Sequence, residues 1–332
     1  MKLPWQSGVR ETAAGSIPMV TGDLTWKDRI DSWMARWGIR RMHFTVPPGL
    51  YAIGNPAPES HVFVTANFKM SFDRIRNALK ETDGWILVLD TRGINVWCAA
   101  GKGTFGTEEL IRRIDTVQLG QVVSHKTIIL PQLGAPGVAA HIVQRMTGFK
   151  PVYGPVKASD IPRFLINHLK AEPSMRRIDF TLPERLVLIP MELLPAMRLV
   201  PFFILLAVID NLIHGRGLTW AILFKTLPFM GALITGSVIF QILLPWLPFR
   251  SFVLNGWLLG SVYSLCLAGI YHDSWTGIAA YMLLLPLISA FLAFQFTGST
   301  PFTSLSGVQK ELAAALPFFL IALTGGIALY ML

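Results

Sequence analysis

Charge deserts this chain after residue 185, and that limits its fold more than any other feature. Of 29 Lys and Arg residues, 24 lie in residues 1–185, as do 16 of 20 Asp and Glu. Five basic and four acidic residues remain for everything that follows. A membrane-spanning helix needs about 20 mostly apolar residues. The tail offers five such runs, at about 193–213, 227–248, 253–271, 277–297 and 313–332. Leu186–Leu194 reads as a stretch lying in the interface. The tail is therefore expected to be an all-α transmembrane domain of five helices.

Basic residues in short loops set orientation. Arg176, Arg177 and Arg185 precede the first run, Arg250 lies between the second and third, and Lys310 between the fourth and fifth. All five fall on one side, expected to be cytoplasmic. Arg216, Lys225, His272 and Asp273 fall on the other. The segment from Met1 to Val20 is polar, with no apolar core before a cleavage site, so no secretory signal is expected. The charged part is expected in the cytoplasm and the C-terminus outside, which makes the chain a multi-pass protein of the cytoplasmic membrane.

The charged part carries a net +8. That charge suits an acidic redox partner and equally suits anionic lipid heads; no nucleic-acid partner is expected. Cys98 and Cys266 are the two cysteines and lie in different regions, so a disulfide framework is not expected. Two cysteines also cannot hold a four-cysteine iron–sulfur cluster.

Residues 1–40 read as irregular or helical, with Trp5, Trp26, Trp33 and Trp37 scattered through them. A βα alternation follows. Strands are expected at His61–Ala66, Trp85–Asp90, Thr127–Leu130 and Pro151–Tyr153. Helices are expected at Ser71–Glu81, Phe105–Ile114, Val138–Met146 and Ile161–Leu169, with Ser71 and Thr104 or Thr107 as caps. This alternation implies a mainly parallel sheet covered on both faces. Ligands of such sheets sit outside the carboxyl ends of the strands. The domain limits are expected at residues 1–170 for the α/β part, 171–190 for a charged linker and 191–332 for the membrane part.

Asn95-Val96-Trp97-Cys98-Ala99-Ala100-Gly101-Lys102-Gly103 is the segment richest in chemistry. It follows the second expected strand and leads into a helix. A cysteine near a helix N-terminus, with Lys102 close by, favours the thiolate, the form that binds metals. Ala99, Ala100, Gly101 and Gly103 leave room for a large flat ligand. Other readings stay open on these residues alone. A single cysteine in an α/β domain serves commonly as a small buried hydrophobe. A cysteine nucleophile would need a histidine, and His43, His61, His125 and His141 show no diagnostic spacing. A phosphate-binding loop is excluded, because Val96 and Gly103 stand where it needs Gly and Ser or Thr.

The run Gly93–Phe105 (GINVWCAAGKGTF) resembles the cap-helix signature of the mercury-methylating corrinoid proteins, the HgcA family. The corrinoid iron–sulfur protein of the acetyl-CoA pathway belongs to the same wider group. The resemblance continues in Val64–Asp73 (VTANFKMSFD), although the family usually carries Tyr at Phe68 and Leu at Met70. It continues in Leu130–Val138, in Tyr153–Val156 and in Phe296–Glu311, and so spans about residues 50–332.

The resemblance implies a Rossmann-like α/β domain holding a corrinoid, a cobalamin-type cofactor, with the Cys98 thiolate as lower axial ligand of cobalt. It implies a corrinoid-dependent methyltransferase that passes a methyl group to Hg(II) and forms methylmercury. A soft, strongly donating thiolate opposite the methyl group suits its departure with the bonding electrons. Asn95 would hydrogen-bond the thiolate or orient the cap. Trp97 and Lys102 would flank the site. Thr65, Asn67, Gly134, Gly137 and Gly154 would contact the corrinoid from loops on the ligand side. The expected partners are a ferredoxin-like protein with two [4Fe-4S] clusters, Hg(II), a tetrahydrofolate-linked methyl donor and membrane lipid. The histidine-based B12 pattern Asp-x-His-x-x-Gly does not occur, and Asp210 with His214 has the wrong spacing. The Thr297–Glu311 loop would dock the α/β domain or the partner. Two rival classes are a corrinoid methyl carrier for another acceptor in one-carbon metabolism, and a transporter with a regulatory domain.

Overall fold

The computed structural model describes residues 5–268, 274–300, 302–303 and 305–332. His272, Asp273, Pro301 and Ser304, together with Met1 and the end of the expected 253–271 run, lie outside the described residues. The chain divides into two units. One contains the residues up to Ala35 and Ile39–Ile178, and the other contains Arg36–Gly38 and Asp179–Leu332.

The first unit is a seven-stranded mixed sheet in the order β1-β2-β3-β5-β4-β6-β7. Its strands and helices, in chain order, are β1 (Gln6–Thr12), β2 (Gly15–Val20), α1 (Trp26–Arg36), β3 (Gly49–Ile53), β4 (Val62–Ala66), α2 (Lys69–Ala78), β5 (Gly84–Leu89), α3 (Val96–Gly101), α4 (Thr107–Thr116), α5 (Leu119–Val122), β6 (Thr127–Leu130), α6 (Ala140–Thr147), β7 (Lys150–Tyr153) and α7 (Ile161–Ile166). The strands β5, β4, β6 and β7 run parallel, and β3 joins β5 antiparallel.

Alternating side chains of these strands enter separate apolar layers. Val62, Val64, Trp85, Leu87, Ile128 and Leu130 share one layer with Leu110, Ile114 and Val143. Phe63, Ile86, Val88 and Ile129 share the other with Phe72, Ile75, Ile161 and Phe164. Burial on both faces explains why β4 and β5 read as unbroken apolar runs.

Residues 6–20 form an antiparallel hairpin of β1 and β2, where the sequence suggested irregular or helical chain. The β1 side chains alternate between half-buried and exposed, so that strand lacks an apolar run. Ser71 is not the cap of α2; Phe68 holds that position, without a side-chain bond. Thr107 lies inside α4, and its Oγ1 accepts the Ala139 N–H at 2.8 Å.

A buried ion network fastens α1 to α2. Lys69 Nζ lies 2.6 Å from both Asp28 Oδ1 and Asp73 Oδ2. The fully buried Arg76 bonds Asp28 Oδ2 at 2.8 Å, Asp73 Oδ1 at 2.9 Å and the Thr21 and Asp23 carbonyls at 2.8 Å. Burial alone would raise the Asp28 pKa. Hydrogen bonds from Lys69 and Thr25 outweigh it and hold the carboxyl well below the usual carboxylate range.

The second unit is helical: α8 (Leu182–Leu186), α9 (Ile189–Met197), α10 (Val200–Ile213), α11 (Ala221–Ile234), α12 (Phe240–Leu243), α13 (Phe252–Ala268), α14 (Trp275–Gln295) and α15 (Leu305–Tyr330), with a π-helical turn at Thr235–Ile239. Among the described residues, four runs are long and apolar enough to cross a membrane: Leu182–Ile213, Ala221–Trp246, Trp275–Gly298 and Ser306–Tyr330. The apolar α13 is shorter within the described residues. Leu186–Leu194, expected to lie in the interface, belongs to the first of the four runs.

The sequence reads Asp210 as reaching water from near a helix end and Cys266, in the third apolar run, as a small packing residue; both readings are corrected here. Asp210 does not reach water at a helix end; it is buried, paired with Lys225, and lies 3.2 Å from His214 Nδ1. Cys266 is exposed rather than packed in the bundle. Gln241 is fully buried and donates to the Ser237 carbonyl at 2.6 Å.

Breaking a buried charge network by removing one partner costs about 3–5 kcal/mol. Asp28→Asn in the full chain should therefore lower the stability of the α/β unit by about that much. A carboxylate depressed in the folded state contributes stability above its unfolded pKa, near ~3.9, and loses it as pH falls toward the folded value. The wild type should accordingly weaken on acidification below about pH 4, and Asp28→Asn should weaken less. Denaturation curves of both proteins against pH check this; coincident curves would contradict it.

Candidate functional site

The chain runs from β4 to β5 on one side, then crosses to β6 on the other side of β4. A reversal of this kind opens a crevice at the carboxyl ends of the strands. The β5–α3 connection and the Gln132–Gly137 turn after β6 both leave from that edge, and α3 packs against that turn.

Cys98 sits in the first turn of α3 and is exposed. The sequence placed it in the approach to the Phe105 helix; it has instead a six-residue helix of its own. Asn95 is the N-cap, and its Oδ1 accepts the Cys98 N–H at 2.9 Å. Asn95 thus orients the cap. Val96, Ala99 and Ala100 face the apolar layer. Trp97 is half-buried, and Gly101, Lys102 and Gly103 are exposed. A Cβ added at Gly101 or Gly103 would meet nothing within 4 Å. The cysteine therefore stands on an open surface of small residues.

The expected cofactor contacts are placed differently. Thr65 is buried within β4. Asn67 is buried, and its amide is occupied within the protein. Its Oδ1 accepts the Thr91 N–H at 3.0 Å, the Thr91 hydroxyl at 2.8 Å and the Gly93 N–H at 2.9 Å. Its Nδ2 donates to Asp90 Oδ1 at 3.3 Å. Asn67 shapes the turn that delivers Cys98. Gly134 and Gly137 answer to Phe105, which is fully buried. A Cβ at Gly134 would strike the Phe105 ring, and one at Gly137 would strike the Phe105 carbonyl oxygen and approach Ala100. Gly154 packs on Ile129 and Phe164. The glycines let α3 and the turn after β6 approach each other.

Arg41, which the sequence did not single out, is the cation of this site. Its guanidinium lies 5.0 Å over the Phe68 ring and donates to the Ala35 carbonyl at 3.2 Å. Burial pulls its pKa below the usual guanidinium value, opposed by the charge of Cys98. The neighbouring chain is tied to the same edge by an isolated bridge between Thr45 and Phe68. No local pattern marks Arg41, because its partners are distant in sequence. Glu109 adds support from α4, accepting the Asp90 N–H at 2.8 Å.

A corrinoid is the group this site must be tested against. A soft sulfur donor exposed at the strand ends, beside glycines with free space, fits a broad planar metal macrocycle.

Comparison with known proteins shows what the α/β unit is similar to. Residues 40–165 match the family described as CO dehydrogenase/acetyl-CoA synthase delta subunit. The chain is 31% identical over 122 residues to acetyl-CoA decarbonylase/synthase complex subunit gamma of Archaeoglobus fulgidus, covering 36% of this chain and 26% of that one. It is 34% identical over 125 residues to the subunit of the same name from Methanocaldococcus jannaschii, covering 37% and 25%. It is also 31% identical over 117 residues to the corrinoid/iron-sulfur protein large subunit of Moorella thermoacetica, covering 35% and 26%. The chain thus spans about a quarter of the length of the curated relatives it matches. Its α/β unit is related to the corrinoid protein of the acetyl-CoA pathway, and the residues that match the family model, 40–165, include the whole Cys98 segment.

The cap and the glycine contact separate in experiment. Losing an N-cap side chain costs about 1 kcal/mol, so Asn95→Ala should speed amide exchange in α3 by about five-fold. Overpacking costs about 1–3 kcal/mol, so Gly137→Ala should lower overall stability by about that much. Hydrogen exchange and thermal unfolding of the full chain read the two effects. Unchanged exchange in α3 for Asn95→Ala would contradict the cap.

Proposed function

We propose that the α/β unit is a Rossmann-like corrinoid-binding domain, and that the chain is a membrane-anchored corrinoid-dependent methyltransferase. Residues 1–170 would form that domain, 171–190 a linker and 191–332 a transmembrane domain of five helices in the cytoplasmic membrane. The observation that carries the reading is the exposed Cys98 on an open surface at the reversal of strand order, within the residues 40–165 that match the CO dehydrogenase/acetyl-CoA synthase delta subunit family. A bound corrinoid supplies a cobalt centre able to carry a methyl group.

The chain's own residues do the rest. Cys98 Sγ would hold the cobalt of the corrinoid. Asn95 fixes the first turn of α3 and so the direction of the sulfur. Val96, Trp97, Ala99, Ala100, Gly101, Lys102 and Gly103 would form the surface beneath the macrocycle. Asn67, Gly134 and Gly137 hold that surface in place from behind, and Thr65, Asn67, Gly134, Gly137 and Gly154 would contact the corrinoid from the ligand side. Arg41, held over the Phe68 ring, contributes a positive charge that acts on Cys98.

The relatives favour a methyl acceptor of one-carbon or acetyl-CoA metabolism, since their names speak of acetyl-CoA chemistry. Electrons would come from an iron–sulfur partner, for which a ferredoxin-like protein with two [4Fe-4S] clusters is the candidate, and the methyl group from a tetrahydrofolate-linked donor. Hg(II) is the second acceptor. The Gly93–Phe105 run favours it through its resemblance to the mercury-methylating family, and a soft sulfur ligand suits transfer to a soft electrophile.

Full-length protein loaded with isotopically labelled methylcorrinoid should be offered Hg(II) and, separately, an acetyl-CoA synthase. Labelled product from either acceptor supports methyl transfer, and the faster one names the function. Cys98→Ala should lower transfer by more than about 100-fold, beyond the 10–100-fold loss usual for groups outside a metal's ligand shell. Transfer undiminished in Cys98→Ala would overturn the reading.

A further inference from the structure

Helix α1 is amphipathic in the reverse of the usual sense. Its inward side is polar: Asp28 lies in the buried ion network, Asp31 stands 3.8 Å from Lys69, and Ala35 completes the stripe. Its outward side is apolar. Trp26, Ile30 and Trp33, spaced i, i+4 and i+7, are 75%, 41% and 58% exposed. Residues at that spacing share one helix face. The exposed Lys27 and Arg29 flank this face on its two sides, and the exposed Arg40 follows beyond the helix end.

Burying charge while exposing two tryptophans and an isoleucine costs stability in water. It becomes favourable where the outward face meets an apolar surface edged with negative charge. Tryptophans on one face with lysine and arginine beside them suit the headgroup region of a bilayer, where the rings sit at the boundary and the cations meet phosphates. The chain also takes α1 to the right place. Helix α1 runs directly into Arg36–Gly38, which belong to the helical unit, and a Cβ at Gly38 would lie 3.9 Å from Leu194 in the apolar run Leu182–Ile213.

We propose that α1 is an interfacial helix, with Trp26, Ile30 and Trp33 set into the surface of an anionic bilayer and Lys27, Arg29 and Arg40 over its headgroups. The helix gives the α/β unit a second hold on the membrane, besides its chain connections. The ion network of Asp28, Lys69, Asp73 and Arg76 would fix how α2, and the sheet behind it, stands on that hold. This proposal rests on the reading that the apolar helices span a membrane.

A benzophenone side chain placed at Ile30 of the full chain, in bilayer discs of phosphatidylcholine with phosphatidylglycerol, tests the contact by photo-cross-linking. The same probe at Leu320, exposed on α15, reports whether the apolar helices meet lipid. Lipid adducts at both positions are expected. The Ile30 adduct should fall by about five-fold for each of Lys27→Gln and Arg29→Gln, the equivalent of about 1 kcal/mol per basic residue at an anionic surface. It should also fall in discs of phosphatidylcholine alone. Adducts at Leu320 without any at Ile30 would overturn the proposal and leave the spanning helices standing. A cross-link from Ile30 to another protein or to a second copy, in place of lipid, would overturn it as well. Absence of lipid adducts at both positions would overturn the spanning helices and the proposal together.

Discussion

Three hydrogen bonds converge on Asn67 Oδ1, from the Thr91 N–H, the Thr91 hydroxyl and the Gly93 N–H. They join the end of β4 to the turn leaving β5, and every feature of the cysteine site lies downstream of that join. The turn ends at Asn95, which caps α3 and holds the backbone N–H of Cys98. A buried amide left without these partners would cost about 1–3 kcal/mol, so the turn has strong reason to keep one shape. One amide bonded to one turn and one cap bonded to one helix are enough to fix an exposed sulfur over the strand ends.

Packing closes the site from the other side. Phe105 is fully buried, and Gly134 and Gly137 lie so close to it that no larger residue fits without movement. The turn after β6 is thereby drawn against α3. Polar bonds from β4 and β5 and apolar contact from β6 thus constrain the same short helix. A ligand binding there would meet a surface already formed, so little ordering would oppose its binding. Arg41 adds charge to that surface while its own guanidinium is held on Phe68.

What the sequence made legible was what is local or periodic. The strands β4, β5 and β6 stand out because burial on both faces turns them into apolar runs. The apolar helices stand out by length. Asn95 stood out in the sequence as a group for the thiolate or the cap, whereas its bond in the structure goes to the Cys98 backbone N–H three residues away. The β1–β2 hairpin is not legible, because the half-exposed β1 leaves no apolar run and the second partner of β2, the strand β3, lies about thirty residues later. Helix α3 is too short to show a period. Asn67 looked like a ligand contact because its partners, Thr91 and Gly93, are more than twenty residues distant. Gly134 and Gly137 looked like ligand glycines because their true neighbour, Phe105, lies about thirty residues earlier. Arg41 had no local signal at all, and the inward-facing charges of α1 were hidden until Lys69 and Arg76 were seen beside them.

The central claim is that Cys98 supplies the sulfur bound to cobalt. Cobalt K-edge X-ray absorption of the corrinoid-loaded full chain tests it most directly, with Cys98→Ala measured alongside. The account predicts a sulfur scatterer in the first shell of the wild type that disappears in Cys98→Ala. A first shell of nitrogen and oxygen alone in the wild type, or a sulfur that persists in Cys98→Ala, would contradict it.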